Sequence, residues 1–288
     1  AVFLSLNILP VYAETPKVLA IIDTGVDITH PAIKSNIIYE ACFATLNSCP
    51  NGQNFMEGSG SATVTPDMYN KDSGWNHGTE VASSATQIDP NVKIIEIRCA
   101  TKLSTNSYLG CNLNLLTSAL SWVNTNKDKF NIGAVIAPMG FVKSPCDLTA
   151  TYVNPINQLL AGKVAVMFPT GNAFDYTKID NPACLPGVLA ISAIDDKGRL
   201  ALYANYSPRV DFAAPGSITV AIPGNKYKSD FGTSLSVATF AAGWLQIQNA
   251  KNLSYADEYN LIKNTGTPYT NIMVKKNVLA INIPNALK

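Results

Sequence analysis

Three short runs of this chain hold residue types that together can break an acyl bond: Asp23 in Asp23-Thr24-Gly25, His77 in His77-Gly78-Thr79, and Ser234 in Gly232-Thr233-Ser234-Leu235-Ser236-Val237-Ala238. A hydroxyl is unreactive near neutral pH until a base takes its proton, and an imidazole base needs a carboxylate to fix its tautomer and stabilise its charged form. Alone, Ser234 would read as an ordinary helix N-cap, His77 as a helix-start histidine and Asp23 as a turn cap. In company they read as nucleophile, base and orienting acid. The only other histidine is His30, so a zinc site of the His-Glu-x-x-His type is excluded and no metal-binding residue is assigned.

The elements that must position these residues follow from hydrophobic pattern. Val18 to Ile22, Val92 to Ile97, Ala134 to Ile136, Lys163 to Phe168 and Val188 to Ser192 are apolar runs rather than alternating ones, which marks strands buried on both faces. Plausible helices lie between them, over Gly78 to Thr86, Leu113 to Lys127 and Tyr152 to Leu160. This alternation predicts an α/β fold of three layers, a central mostly parallel sheet with helices on both faces. In such folds chemistry sits beyond the carboxyl ends of strands and at helix starts. Asp23 directly follows its strand, His77 opens a helix, and Ser234 begins the apolar run Leu235 to Ile247, which predicts a buried helix. A nucleophile there faces unpaired backbone N–H groups and the positive end of the helix dipole.

Composition narrows the setting. With 288 residues, 47% of them hydrophobic, and no low-complexity linker, residues 14–288 read as one domain. The 21 basic and 20 acidic side chains leave a formal charge of +1, which argues against nucleic acid and against electrostatic attachment to membranes. Residues 1–13, uncharged and ending Val11-Tyr12-Ala13, read as the tail of a secretory signal peptide, too short to span a bilayer. An even count of six cysteines agrees with an oxidising compartment, secreted or periplasmic. Cys42 lies near Cys49 and Cys99 near Cys111, which leaves Cys146 and Cys184, but spacing alone does not establish connectivity. A monomer and no stable membrane insertion are the expectations.

With its motifs in the order Asp, His, Ser, the chain resembles the subtilisin-like serine proteases from about Lys17 to about Ile247. Thr29-His30-Pro31 resembles the His-Pro pair after the family's aspartate strand. Thr170-Gly171-Asn172 resembles its Gly-Asn, whose asparagine donates to an oxyanion. Val210 to Gly216 is similar to the Ala-Pro-Gly segment upstream of the serine, and Asn181 to Ile191 to the strand past the specificity pocket. The resemblance implies a serine endopeptidase acting on protein or peptide substrates, in which His77 takes the Ser234 proton, Asp23 orients His77, and Asn172 with the Ser234 N–H holds the oxyanion. Pro138, Met139 and Gly140 would bind the substrate backbone. Met139, Gly140, Pro169, Thr170 and Gly171 would line the pocket for the side chain before the scissile bond, implying an apolar preference, with Asp180 near the pocket base as the feature that would instead favour Arg or Lys. No cofactor is implied; calcium occurs in the family, but no site for it is recognised here.

The chain also departs from the family pattern. Glu80 replaces a second histidine, Ala238 replaces a proline one turn after the nucleophile, and Pro138 removes an N–H from the presumed substrate strand. Asp27 reads as a solvated turn residue. These departures keep open a catalytically impaired relative acting as a binding module, and the same acyl-enzyme could also serve a transpeptidase or macrocyclase. A lipase-type esterase is disfavoured, because no Gly-x-Ser-x-Gly elbow occurs.

Overall fold

A computed structural model describes residues 15–141 and 146–288, so the signal-peptide reading of residues 1–13 lies outside the described residues. The apolar runs form the centre of a ten-stranded sheet. Its strands in chain order are β1 (Val18–Asp23), β2 (Ile37–Phe43), β3 (Phe55–Glu57), β4 (Ile94–Cys99), β5 (Ile132–Ile136), β6 (Ala165–Pro169), β7 (Leu189–Ile194), β8 (Phe212–Pro215), β9 (Thr267–Asn271) and β10 (Lys276–Ala280). Across the sheet they run β9-β10-β8-β7-β6-β5-β1-β4-β2-β3. Internal neighbours are parallel, while the edge strands β3 and β9 pair antiparallel with β2 and β10.

Successive residues of β1 enter opposite cores, as the two-residue period of a strand requires. Leu19 and Ile21 pack beneath α1 (His77–Ile88) and the long helix over Thr233–Lys251; Val18, Ala20 and Ile22 pack beneath α2 (Leu113–Asn126) and α3 (Val153–Ala161). This is the three-layer arrangement expected from the sequence. The helix Thr233–Lys251, α4, is apolar on nearly every side, with Val237, Phe240, Trp244 and Leu245 wholly buried. A helix with that composition belongs inside a domain.

The chain places β4 on one side of β1 and β5 on the other, so the sheet's order reverses at the carboxyl end of β1. Such a switch point leaves a crevice between diverging connections. Asp23 closes β1 at that crevice. Between β8 and α4, strands Ser217–Ile222 and Lys226–Phe231 form an antiparallel hairpin that delivers the chain to Gly232. Helix α5 (Tyr255–Thr265) precedes the β9–β10 hairpin. Disulfides join Cys42 to Cys49, Cys99 to Cys111 and Cys146 to Cys184. Among the described residues, no helix is long and apolar enough to cross a membrane.

Candidate active site

The motif around Asp23 meets the motif around His77 through backbone contact. A Cβ on Gly78 would stand 2.2 Å from the Gly25 carbonyl oxygen, and one on Gly25, whose φ is +96°, would stand 2.4 Å from the Ala62 carbonyl oxygen. Only glycine allows these approaches. The neighbouring threonines lock the two runs together: Gly78 N–H donates to Thr24 Oγ1 at 3.0 Å, and Asp27 N–H donates to Thr79 Oγ1 at 3.0 Å. As a result His77 Nδ1 lies 2.8 Å and 3.0 Å from the two carboxylate oxygens of Asp23. Facing a carboxylate, Nδ1 carries the hydrogen, which leaves Nε2 as the basic atom of the neutral ring.

Burial alone would disfavour the charged imidazole, but the Asp23 carboxylate outweighs it through charge and hydrogen bond. With smaller contributions from Glu80 and Asp230, it raises His77 to about 9. Glu96, wholly buried on β4, is held well above the usual carboxylate range by burial and by Asp23 and Glu40, the Gly25 amide opposing.

Asp27 is not the solvated residue expected. It is 8% exposed, its Oδ1 accepts from Thr29 N–H and Thr29 Oγ1, and its Oδ2 accepts from Gly224 N–H. Burial pushes its carboxyl up, but these donors together bring it below the ordinary value. It ties the turn after β1 to the hairpin that leads to Ser234. Glu80 also does more than its position suggested: its carboxylate meets Lys228 Nζ at 2.8 Å, and Lys228 meets Asp230 at 2.7 Å. Ser83 Oγ accepts from Ala221 N–H, and Gln87 donates to the Thr219 carbonyl. The helix bearing His77 is thus fastened along the hairpin that carries the serine.

Ser234 lies in the first turn of α4, and its N–H has no acceptor among the described residues. Its hydroxyl donates to the Pro138 carbonyl at 3.1 Å rather than to His77. Asn172 is oriented by Thr233: its Oδ1 accepts from both Thr233 N–H and Thr233 Oγ1, each at 2.9 Å. Because the Thr233 amide can only donate, the amide oxygen must face it, and Asn172 Nδ2 is turned outward. That Nδ2 and the Ser234 N–H both border the open space beside Gly232, at 3.6 Å and 3.9 Å from where a Cβ would stand. Two donors converging beside a nucleophile can hold an oxygen that becomes negative.

The expected pocket residues divide by exposure. Met139 is part-buried and Gly140 exposed, whereas Pro138, Pro169, Thr170 and Gly171 are buried. The Thr170 side chain is wholly buried, so what it offers is its carbonyl, which accepts from Asp180 N–H at 3.1 Å. A cleft beside the Asp–His pair is lined by His77, Cys99, Tyr108, Pro138 and Met139. Asn205 had not been singled out by sequence. Its N–H donates to the Gly171 carbonyl at 2.9 Å, its Oδ1 accepts from Ala173 and Asp175, and its Nδ2 donates to Asp180. It holds the loop that presents Asn172. Asp23 thus meets His77, and Asn172 meets the residue before Ser234, while the Ser234 hydroxyl is bonded to Pro138 and makes no hydrogen bond with His77.

Among curated proteins, the alkaline elastase YaB of Bacillus sp. (strain YaB) is 27% identical over 215 residues, covering 72% of this chain and 54% of that protein. The thermophilic serine proteinase of Bacillus sp. (strain AK1) is 29% identical over 265 residues, covering 86% of this chain and 57% of that protein. The chain thus spans little more than half the length of these two relatives. Among solved structures, the epidermin leader peptide processing serine protease of Staphylococcus aureus superposes with a TM-score of 0.76 at 18% identity, over 97% of this chain and 76% of that one, a likeness of fold. The subtilase family model matches residues 16–278, a span that takes in Asp23, His77, Asn172 and Ser234, and on that match this chain belongs to the subtilase family.

Proposed function

We propose that this chain is a serine endopeptidase working through an acyl-enzyme, with Asp23, His77 and Ser234 as its triad and Asn172 as an oxyanion donor. What supports the reading is the Asp23–His77 pair together with the outward Asn172 amide and the Ser234 N–H, two donors that border one open space beside Gly232 at the start of α4. In the proposed reaction neutral His77 Nε2 takes the Ser234 proton as Oγ attacks a peptide carbonyl. The developing oxyanion is held by Asn172 Nδ2 and Ser234 N–H. The imidazolium then protonates the leaving amine, and water repeats the sequence to free the acid. Asp23 fixes the ring and its tautomer and stabilises the imidazolium that forms.

The Ser234–Pro138 hydrogen bond fits this reading as a resting contact. A peptide pairing with the Pro138–Gly140 edge would offer an N–H to the Pro138 carbonyl, and the displaced hydroxyl would turn to His77 by rotation about one side-chain bond. The three disulfides support export to an oxidising compartment, secreted or periplasmic.

The same contact is the observation that favours a binding module instead, since a hydroxyl committed to Pro138 is not activated. Fluorophosphonate labelling separates the two. Purified protein should label at Ser234 and the Ser234→Ala variant should not; a folded wild type that stays unlabelled would remove the enzyme reading. Mass analysis of peptide digests then tells hydrolysis from transfer to an amine.

A further inference from the structure

The Asp180 carboxylate lies between the two segments that flank the proposed reacting carbon. A carbonyl placed between Ser234 Oγ and the Asn172 amide has its own side chain directed between two segments, Pro138–Gly140 and Gly171–Asn172, because Ser234 touches the first and Thr233 holds the second. Asp180 joins these two walls. Its N–H donates to the Thr170 carbonyl, and the next residue bridges to the other wall, with Phe141 N–H donating to the Asn181 carbonyl at 2.8 Å and Asn181 N–H to the Phe141 carbonyl at 3.2 Å. Both walls are glycine where they face it. A Cβ on Gly140 would lie 2.8 Å from Asp180 Oδ2, and one on Gly171 would lie 2.4 Å from the same oxygen. Any larger residue at either wall would displace the carboxylate.

Among the described residues that carboxylate is paired with no cation. Oδ1 accepts from Asn205 Nδ2 at 3.2 Å, while Oδ2 has no donor among the described residues. Among the described residues Lys178 acts on it, but Lys178 is paired with Asp175 at 3.8 Å, and Asp175 repels the Asp180 carboxylate in turn. Asp175, Lys178 and Asp180 together leave one uncompensated negative charge. Partial burial raises the Asp180 carboxyl above its ordinary value, the response of an anion short of partners. A guanidinium or ammonium group arriving between these walls would provide both the missing hydrogen bond and the charge.

We infer that Asp180 is a specificity-determining residue that selects arginine or lysine as the residue before the scissile bond. The inference rests on the endopeptidase reading above and replaces the apolar preference implied by the pocket walls alone. A charged pair of this kind, partly shielded from water, corresponds to about a 10- to 100-fold preference over a neutral side chain of similar shape.

The test uses a peptide series varied only at that residue: arginine, lysine, citrulline and leucine. Wild type is expected to cleave after arginine with a kcat/KM about 10- to 100-fold above citrulline, which keeps the shape and removes the charge. Asp180→Asn should abolish the difference. The citrulline comparison needs no variant, so it decides even if Asp180→Asn fails to fold. An enzyme that labels at Ser234 yet cleaves arginine and citrulline peptides equally overturns the inference and leaves the endopeptidase reading intact. If wild type neither labels nor cleaves, the endopeptidase reading fails, and the inference is judged by binding: the same peptides should still bind with arginine tighter than citrulline, and equal affinity would overturn it.

Discussion

At the scale of single residues, the chemistry turns on the charge of His77. A general base must be neutral before substrate binds, and the Asp23 carboxylate raises this imidazole to about 9 despite burial. The expected consequence is a kcat/KM that climbs with pH through a limb centred well above 6.5, the ordinary histidine value, and towards 9. Glu80→Gln should move that limb to lower pH, because it removes one supporting charge and frees Lys228 from one of its two carboxylates. A pH-rate profile with a stopped fluorogenic assay checks both; a limb at 6.5 or below in wild type would contradict the proposed pair. The residues that matter here were legible to different degrees. Asp23, His77, Ser234 and Asn172 stand in short motifs whose glycines and threonines make the very contacts that assemble them. Asp27 and Asn205 were not legible in that way, since their partners, Gly224 and Gly171, are distant in sequence and nothing local announces them.

At the scale of elements, the site is a seam between β1, α1 and the hairpin that feeds α4. The tightest point of the seam is the approach of Gly78 to the Gly25 carbonyl, backbone against backbone, so a side chain there cannot be accommodated by a rotamer change. Gly78→Ala should therefore push α1 away from β1. A loss of about 1–3 kcal/mol in denaturant unfolding is expected from overpacking, with kcat lowered on the order of a hundredfold because the base is misplaced by a fraction of its reach. A variant with wild-type stability and kcat would show the contact to be slack. Elements were read from sequence where burial imposed a period. Central strands such as β1 and β6 are almost wholly apolar because both faces are covered, and α4 is largely apolar because it is enclosed. The elements not anticipated break those periods: β2 carries Glu40 in its centre, caught by Gly60 and Ala62 N–H groups, and the strand Lys226–Phe231 is largely exposed and charged. Their pairing is dictated by tertiary contact, and strand propensity gives little sign of it.

At the scale of the whole molecule, pH is expected to move activity and stability in opposite directions. Glu258, on α5, is fully buried, and its carboxylate oxygens have no hydrogen-bond partner among the described residues; burial raises it to about 9. Its free value of 4.5 means that between pH 4.5 and 9 the unfolded chain releases a proton that the native chain keeps. The unfolded state then binds fewer protons, so stability falls as pH rises through this window and levels off above it. His77 has the same sign: its contribution is complete below 6.5 and is lost as pH passes about 9. The deprotonation that frees the base thus coincides with the range in which the fold loses support. Thermal unfolding followed by calorimetry should give a melting temperature that declines from pH 5 to pH 9. Glu258→Gln, which cannot ionise, should decline less over the same range, and its advantage over wild type should grow with pH. Parallel curves for the two proteins would mean that Glu258 is ionised in the native state, and the alkaline loss would then have to be assigned to other raised groups, His77 first among them.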